Sequence, residues 1–540
     1  MQPIYLSLIF LPIGSGIVLY LTRYRNSEAL VFPVQAVMTL LAGSLLANYQ
    51  TVSGVFVPVG GWSILSGIVL LVDNLSMAFI ALTVFMWWMI LLYSWQTGNR
   101  DHNYLFFLSI LQGLFMGLLL VNDLFSFFLF FEIVTVTASV LVVFKRQGKA
   151  LTSGLYYLLL GTTGMAFYLL GMMIVYMLTG TLNWSQSAQV LAELGAILPV
   201  QAAFIFMVAS MTIKAAFFPT FDWLSRAHSN APHAISALLS GLLVKGGVYG
   251  FIRIHQLFGG AVLGPFFFYV GFATALTGVV FAVSQKDIKM ILAFHTISQV
   301  GIVLIGVSQV SGDAYYGGLL HLVNHAMFKS LLFLCAGVIA THYNTRKVVE
   351  IRGALRTMPV ASVCMIVGAL AITGTPFLNG YIGKAIIGGG LKYDPAFNFL
   401  FRLISLGTIV SFMKLSQIFF PGDVPCRAEI PEGTKAPSRR VHWNIALLVL
   451  AANCILLPQT YGRLGLLLGT TFPAVDLLDP AKITEWAVLV LIGLVIMRLY
   501  IFTDRSKVHL QRIREVPLPF QRSAYMFLLF VTIMFLQGIV

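Results

Sequence analysis

The sequence predicts an all-α membrane protein, a polytopic bundle of about 14–16 transmembrane helices with two inverted five-helix repeats and broken helices seven and twelve. Composition is the first observation behind this. Of 540 residues, 59% are hydrophobic and 10% charged, with a mean hydropathy of +0.90. Soluble domains carry about a quarter charged residues, so this much apolar side chain needs lipid as its solvent. The second observation is the recurrence of near-uncharged runs of roughly 20 residues, the length of a spanning helix rather than of the alternating ten-residue strands of a barrel. The third is that two of these runs, five spans apart, are interrupted in their middles by Pro and Gly.

Sixteen runs read as spans, at roughly 4–22, 29–50, 75–96, 103–122, 124–144, 153–180, 197–218, 232–257, 262–284, 287–309, 313–341, 359–389, 397–420, 442–460, 484–502 and 523–540. The distribution of charge tests this count. Lys and Arg crowd every second loop, among them Arg23, Arg25, Arg100, Lys145, Arg146, Lys149, Arg226, Lys286, Lys289, Arg346, Lys347, Arg427, Arg439, Arg512 and Arg514. The alternate loops hold only Arg253, Lys392, Arg463 and Lys482. A missed helix would scramble the bias from that point on, and no scrambling appears. The positive-inside rule then places the chain in the cell inner (cytoplasmic) membrane, multi-pass, with both termini outside. A net charge of +14 would suit nucleic acid, but its placement is membrane topology and no nucleic-acid partner is expected. The first run has no basic n-region ahead of it and reads as a spanning helix, not a cleaved signal. Cys335, Cys364 and Cys454 lie in apolar runs and Cys426 stands alone in a loop. With no CxxC pair, neither iron–sulfur nor zinc ligation is expected, and no cofactor or metal is assigned to the chain.

The seventh span, AAFIFMVASMTIKAAFFPTFDWLSRAHSNAP, is interrupted at Pro219, and the twelfth, AITGTPFLNGYIGKAII, clusters Gly374, Pro376 and Gly380. Pro removes a backbone donor and Gly loosens the chain, so both helices should break. Broken helices at membrane depth are tolerated where protein buries them or a wet cavity adjoins them. Five is odd, so repeats offset by five spans are inverted in the membrane, as in many transporters. The chain divides accordingly into residues 1–102 (spans one to three), 103–257 (four to eight), 258–421 (nine to thirteen) and 422–540 (fourteen to sixteen).

With loop charges set aside, Glu132, Lys214, Lys245, Lys329, Lys384 and Lys414 remain inside spans, and Arg402 is placed to snorkel to the outer interface. Each buried charge costs about 2.5–3.5 kcal/mol on insertion scales and calls for a reason. Burial disfavours the charged form of a lysine, which lets it lose and regain a proton as a relay requires. Glu132, in FSFFLFFEIVTVTAS, is the one carboxylate well inside a span, and Lys214, just ahead of the first break, is its expected partner. Two unit charges about 4 Å apart attract by roughly 4 kcal/mol at an effective dielectric of 20. A static structural salt bridge competes with a switchable pair here. The second lysine, Lys245 in ALLSGLLVKGGVYGF, favours the switch.

In GGLLHLVNHAMFKSLLFL, His321, His325 and Lys329 recur every fourth residue and share one helix face. A zinc site would need a further carboxylate or thiol motif, and a lone histidine is usually a hydrogen-bonded core residue. Three ionisable groups in one row favour a proton wire through water. His295, with Thr296, Ser298 or Gln299, extends that row. Lys384, eight residues past Pro376, is the expected last carrier before release. Snorkelling competes with relay for Lys414. Asp222, His228 and His233 lie beside the first break as an inner entry, with turn-forming and hydrogen-bonding roles competing on equal terms.

The segments KAAFFPTFDWLSRAHSNAPHAISALLSGLLVKGGVY, HLVNHAMFKSLLFLCAG and GTPFLNGYIGK resemble signature segments of the antiporter-like subunits of Mrp cation/proton antiporters, complex I and membrane-bound hydrogenases, the Mrp D subunit above all. The resemblance covers roughly residues 60–420. It implies that Glu132 is the family's helix-five glutamate and Lys214 its helix-seven lysine. It makes Lys245 the relay lysine of helix eight, His325 and Lys329 the hydrated central axis, and Lys384 the terminal lysine of helix twelve, a position that is glutamate in one complex I subunit. Such subunits bind no redox cofactor and move protons along the membrane plane, driven by their neighbours. Spans fifteen and sixteen depart from the fourteen shared helices, and residues 503–522 are too few for a long lateral helix. The basic segment TDRSKVHLQRIREVPLPFQR is expected to meet anionic lipid or an acidic partner.

The expected function is a proton-translocating subunit of a multisubunit membrane complex, most like a Mrp D subunit. A proton-pumping subunit of a redox complex with iron–sulfur partner subunits is the alternative, and a membrane subunit coupling proton flow to inorganic-carbon uptake is a second. The expected partners are other integral membrane subunits, lipids and protons. Few acidic oxygen donors lie in the spans, so any sodium route belongs to a neighbouring subunit. No nucleophile constellation or nucleotide loop marks this chain as an enzyme by itself.

Overall fold

The computed structural model describes residues 2–22, 27–64, 67–96, 101–144, 148–259, 263–309, 311–391, 393–422, 441–501, 504–516 and 519–539. Cys426 and several basic loop residues (Arg23, Arg25, Arg100, Lys145, Arg146, Lys392, Arg427 and Arg439) lie outside them.

Among the described residues, 14 helices are long and apolar enough to cross a membrane. The first six spans are Gln2–Thr22, Val31–Ala47, Asn74–Gln96, His102–Leu120, Leu124–Val143 and Gly148–Thr179. The eighth to eleventh are His233–Leu257, Gly264–Ser284, Ile288–Val307 and Gly312–Tyr343. The last four are Pro395–Ser416, Val441–Leu468, Pro480–Ile496 and Phe520–Ile539. The seventh and twelfth are split, into Leu198–Lys214 and Asp222–Asn230, and into Pro359–Thr373 and Asn379–Leu391. All sixteen expected spans are therefore present, with both predicted breaks. Among the described residues, strand structure is confined to one hairpin of two-residue strands, Val57–Pro58 against Val69–Leu70. A short helix, Trp184–Leu194, was not expected; its buried Trp184, Ser187 and Leu191 lie along one face.

The breaks follow from local chemistry. Span seven ends at Lys214, Ala216 turns to φ +55°, and Pro219, in a cis peptide bond, cannot rejoin the ladder. Span twelve ends at Gly374 with φ +81°, where a side chain would be strained. At Gly380 a Cβ would lie 1.9 Å from the Ala371 oxygen, so only glycine lets the second half fold back this closely.

The runs of spans four to eight and nine to thirteen are laid out alike. Spans six and eleven are both 32 residues long. Spans five and ten both start from an aspartate N-cap, Asp123 and Asp287. Each aspartate makes an isolated antiparallel bridge to the residue 60 positions on, Asn183 and Lys347 respectively, and the second bridge lies 164 residues beyond the first.

Spans eight, ten and eleven are at the centre, with 100%, 94% and 94% of their apolar windows buried, against 6% for span fifteen. Their charges are therefore enclosed by protein. Span fifteen packs on span thirteen. The basic helix Asp504–Arg514 then runs beside span nine, with Arg514 Nη1 3.3 Å from the Ser284 oxygen. Span sixteen docks on spans six and seven through Phe167–Phe527, Phe206–Phe535 and a 2.9 Å bond from the Tyr156 hydroxyl to Ser523. Arg402, expected to snorkel to the outer interface, is half-exposed and pairs with Glu485 of span fifteen at 2.9 Å.

Candidate functional site

The first break puts Lys214 at the C-terminus of its half-helix, where unpaired carbonyls and the helix dipole favour a cation. The side chain is 5% exposed. Its Nζ donates to Thr135 Oγ1 at 2.5 Å and lies 5.5 Å from the Phe131 ring centre. Thr135 is one turn along span five from Glu132. The Glu132 carboxylate is half-buried and within electrostatic range of Lys214, yet its Oε2 has no hydrogen-bond partner among the described residues. Lysine and glutamate are thus neighbours outside ion-pair distance, and the lysine bonds a hydroxyl that lies one turn from the carboxylate and itself donates to the Phe131 carbonyl. Tyr157 of span six lies beside Thr135 and stacks on Trp223 at 4.6 Å.

Span eight packs on that break through glycine. A Cβ on Gly247 would lie 2.4 Å from the Ala215 nitrogen and 2.5 Å from the Lys214 carbonyl carbon, so the two backbones touch. Two residues earlier is Lys245, 1% exposed. Ahead of it, Leu239–Leu243 forms a π-helical turn, a feature common at functional sites. That turn presents the Ser240 carbonyl, to which Lys245 Nζ donates. The Ser240 hydroxyl pairs with Thr296 Oγ1 of span ten at 2.8 Å. Thr296 in turn donates to the Leu292 carbonyl at 3.2 Å, which also accepts from Lys329 Nζ. Lys245 and Lys329 therefore hang from the two ends of one Ser240–Thr296 bridge.

From Lys329 the row continues to the histidines of the same helix. The His321 and His325 rings are 6.5 Å apart and nearly parallel, and His321 Nε2 meets Gln299 Oε1 at 3.0 Å. Thr135 and Tyr157, carried forward by the 164-residue offset of the bridges, fall on Gln299 and His321, so both halves join spans five and six, or ten and eleven, by a polar pair at the same place. Along this row, both ring nitrogens of His295 and His325, His321 Nδ1, Ser298 Oγ, Gln299 Nε2, both Asn324 side-chain atoms and Asn379 Oδ1 are buried without a protein partner among the described residues. Each such atom costs about 1–3 kcal/mol if left bare, so a column of water is the chemistry the site calls for. The row ends at Lys384, whose Nζ donates to the Ile372 carbonyl at 2.6 Å, at the C-terminus freed by the second break.

His228 is fully buried and stacks on Phe333 at 4.7 Å, and Lys329 Nζ lies 5.4 Å from the same ring. The structure thus brings His228 to the row. Asp222, on the same short helix, pairs with Arg226 at 2.7 Å. His295 lies 4.9 Å from Phe412. Lys414 is half-buried and anchored on the Val283 and Gln285 carbonyls at 2.5 and 2.6 Å. Sequence reasoning counted Lys289 as a loop charge. It is 1% exposed and donates to the Ala231 carbonyl at 2.6 Å, within electrostatic range of His228. Its place one residue inside span ten was the available signal.

A family model described as NADH:quinone oxidoreductase/Mrp antiporter, transmembrane, matches residues 121–409, more than half of the chain. The chain belongs to this family. It is 30% identical over 407 residues to the N subunit of the NADH-quinone oxidoreductase of Desulforudis audaxviator, across 72% of this chain and 81% of that one. It is 29% identical over 435 residues to the D subunit of the Na+/H+ antiporter of Alkalihalophilus pseudofirmus, across 77% and 87%. A chain of the Mrp complex from Dietzia superposes with a TM-score of 0.77 at 23% identity, covering 95% of this chain and 99% of that one. The part left unmatched is shorter than spans fifteen and sixteen together, so these two spans are not wholly peculiar to this antiporter-like chain. Membrane embedding follows from the family and the spans together. The matched region holds the whole row from Glu132 to Lys384, while Lys414 and the last three spans lie beyond it.

Proposed function

We propose that this chain relays protons as the antiporter-like subunit of a multisubunit membrane complex, most like a Mrp D subunit. The observation that carries the proposal is the column of buried polar atoms without protein partners on spans ten to twelve, flanked by Lys329 and Lys384. Protonation of Lys245 and the central row competes with the hold of Lys214 near Glu132, and the proton passes on to Lys384. The equal lengths and bridges of the two five-span runs support reading residues 103–257 and 258–421 as inverted repeats, each with a lysine at its broken helix. His228 and Lys289 serve as the inner entry, and Lys414 anchors span thirteen to span nine. The basic loops support an inner-membrane orientation with both termini outside.

The relatives' names supply the driving partner in either of two forms. The likeness to the D subunit of an Na+/H+ antiporter supports an exchange complex whose sodium route lies in a neighbouring subunit. The likeness to a quinone oxidoreductase subunit supports a redox complex with electron-carrying partners. Proton uptake into inverted vesicles carrying the whole complex tests the relay. Glu132→Gln and Lys214→Ala are expected to abolish uptake with assembly intact, and full uptake in either refutes the relay assignment.

A further inference from the structure

The relay needs an exit, and the walls of the cavity beside Lys384 do not all come from the family's matched region. A cavity of about 280 Å³ adjoins Lys384, with room for several waters. Two of its sides are spans twelve and thirteen, and the third is span fifteen, which starts on the same side of the membrane as the turn from span twelve to span thirteen. Without span fifteen, that side of the cavity would be open to lipid. Exposure grades along the cavity. Lys384 and Thr373 are 7% and 8% exposed at its floor, whereas Glu485 and Arg402 are 30% and 53% exposed at its mouth. Across that mouth Arg402 Nε holds Glu485 Oε1 at 2.9 Å, and Lys482 holds the other oxygen at 2.9 Å. The indole N–H of Trp486, in the wall behind Glu485, has no protein acceptor among the described residues.

We propose that span fifteen completes the proton exit from Lys384 and that the Arg402–Glu485 ion pair is its outer gate. A half-exposed ion pair at a cavity mouth is weakly held and opens readily. It bridges the mouth between two spans, so its parting widens the water path from Lys384 to the surface without any helix moving. Glu485 also offsets the two mouth cations, which would otherwise repel a proton passing through the mouth. The inference rests on the proposed relay and orientation, and its test is independent of both.

Thr373→Cys in a Cys426→Ser full-length chain, assembled in its complex, places a thiol at the cavity floor. Sealed right-side-out and inside-out vesicles are treated in turn with a cationic and an anionic membrane-impermeant thiosulfonate. Glu485→Gln is expected to raise the labelling rate about tenfold with both reagents, from the outer side. The exchanged pair Arg402→Glu with Glu485→Arg is expected to return it to the slow rate. Unchanged labelling, or rates that move in opposite directions for the two reagents, overturns the gate, since the second outcome is a change of local potential alone. Labelling requires no proton transport, so a failed relay leaves the result readable, and labelling from the inner side corrects the orientation without touching the gate.

Discussion

Gly247→Ala tests whether the contact between spans seven and eight sets the distance over which the two lysines influence each other. The added Cβ would sit 2.4 Å from the Ala215 nitrogen and 2.5 Å from the Lys214 carbonyl carbon. Ordinary contact lies near 3.4 Å or beyond, so the two backbones must part by about 1 Å. Both atoms are main chain at the break, so no side chain can yield instead. Overpacking of this kind costs about 1–3 kcal/mol, and the helix propensity of Ala over Gly returns about 1. The net loss is a fraction of a typical folding stability, so assembly persists. Function depends on geometry more steeply, since a 1 Å misplacement removes about 100-fold in rate where groups must be aligned. The expected result is normal assembly on native gels with initial proton uptake down about 100-fold. Gly250→Ala is the control, because its Cβ meets the Met211 sulfur at 2.4 Å and a thioether can swing aside. A folded Gly247→Ala complex that keeps half its uptake refutes the reasoning.

Two further outcomes follow from the same geometry. Thr296→Val keeps the shape but cuts the bridge to Ser240, leaving a buried hydroxyl short of a partner at about 1–3 kcal/mol; uptake should fall about tenfold while the melting temperature drops by no more than a few degrees, and an unaltered rate removes the bridge from the path. Asp73, in the loop before span three, is bound by Arg253 through two contacts of 2.5 and 2.7 Å. Burial opposes its ionisation, but Arg253 and Ser76 more than offset this and hold it at about 2, below the usual 3.8. Because the folded value is the lower one, the pair's contribution is complete above pH 3.8 and is lost as pH falls toward 2. Asp73→Asn should therefore lower stability by about 1–3 kcal/mol at pH 7 and progressively less as pH falls through about 2, which thermal melts of the detergent-solubilised protein will read.

The sequence made the fold legible because its signals are local. Pro219, Gly374 and Gly380 break their helices by their own chemistry, and the four-residue spacing of His321, His325 and Lys329 needs only the helical repeat. What it concealed depends on partners distant in the chain. ALLSGLLVK reads as ordinary helix, and nothing in it announces the π turn that aims the Ser240 carbonyl at Lys245. Lys289 was counted with the loops because charge bias registers distance from a span's end, not burial against Ala231. For Lys214 a carboxylate was the evident partner on charge alone, whereas Thr135 bonds it directly. Glu485 stands at the start of span fifteen, where a carboxylate looks like a helix N-terminal charge, and its role depends on Arg402, 83 residues earlier.

These buried lysines share a manner of being held. Lys245, Lys329, Lys384 and Lys414 donate to backbone carbonyls and Lys214 to a hydroxyl; among the described residues none is within ion-pair distance of a carboxylate. A carboxylate about 4 Å away would add roughly 4 kcal/mol at an effective dielectric of 20 and fix the charge in place. A hydrogen bond from a charged donor to a neutral acceptor is worth about 1.5–3 kcal/mol, comparable with the insertion cost of the charge itself. The two nearly cancel, and a group so balanced can be charged or neutral for little energy, as a carrier must be. Thr135 takes the lysine's hydrogen bond, while Glu132 is near enough to bias Lys214 but outside ion-pair distance. On the proposed relay, Thr135→Asp should lock it, leaving a folded complex with Lys214 held charged and uptake stalled at the first step.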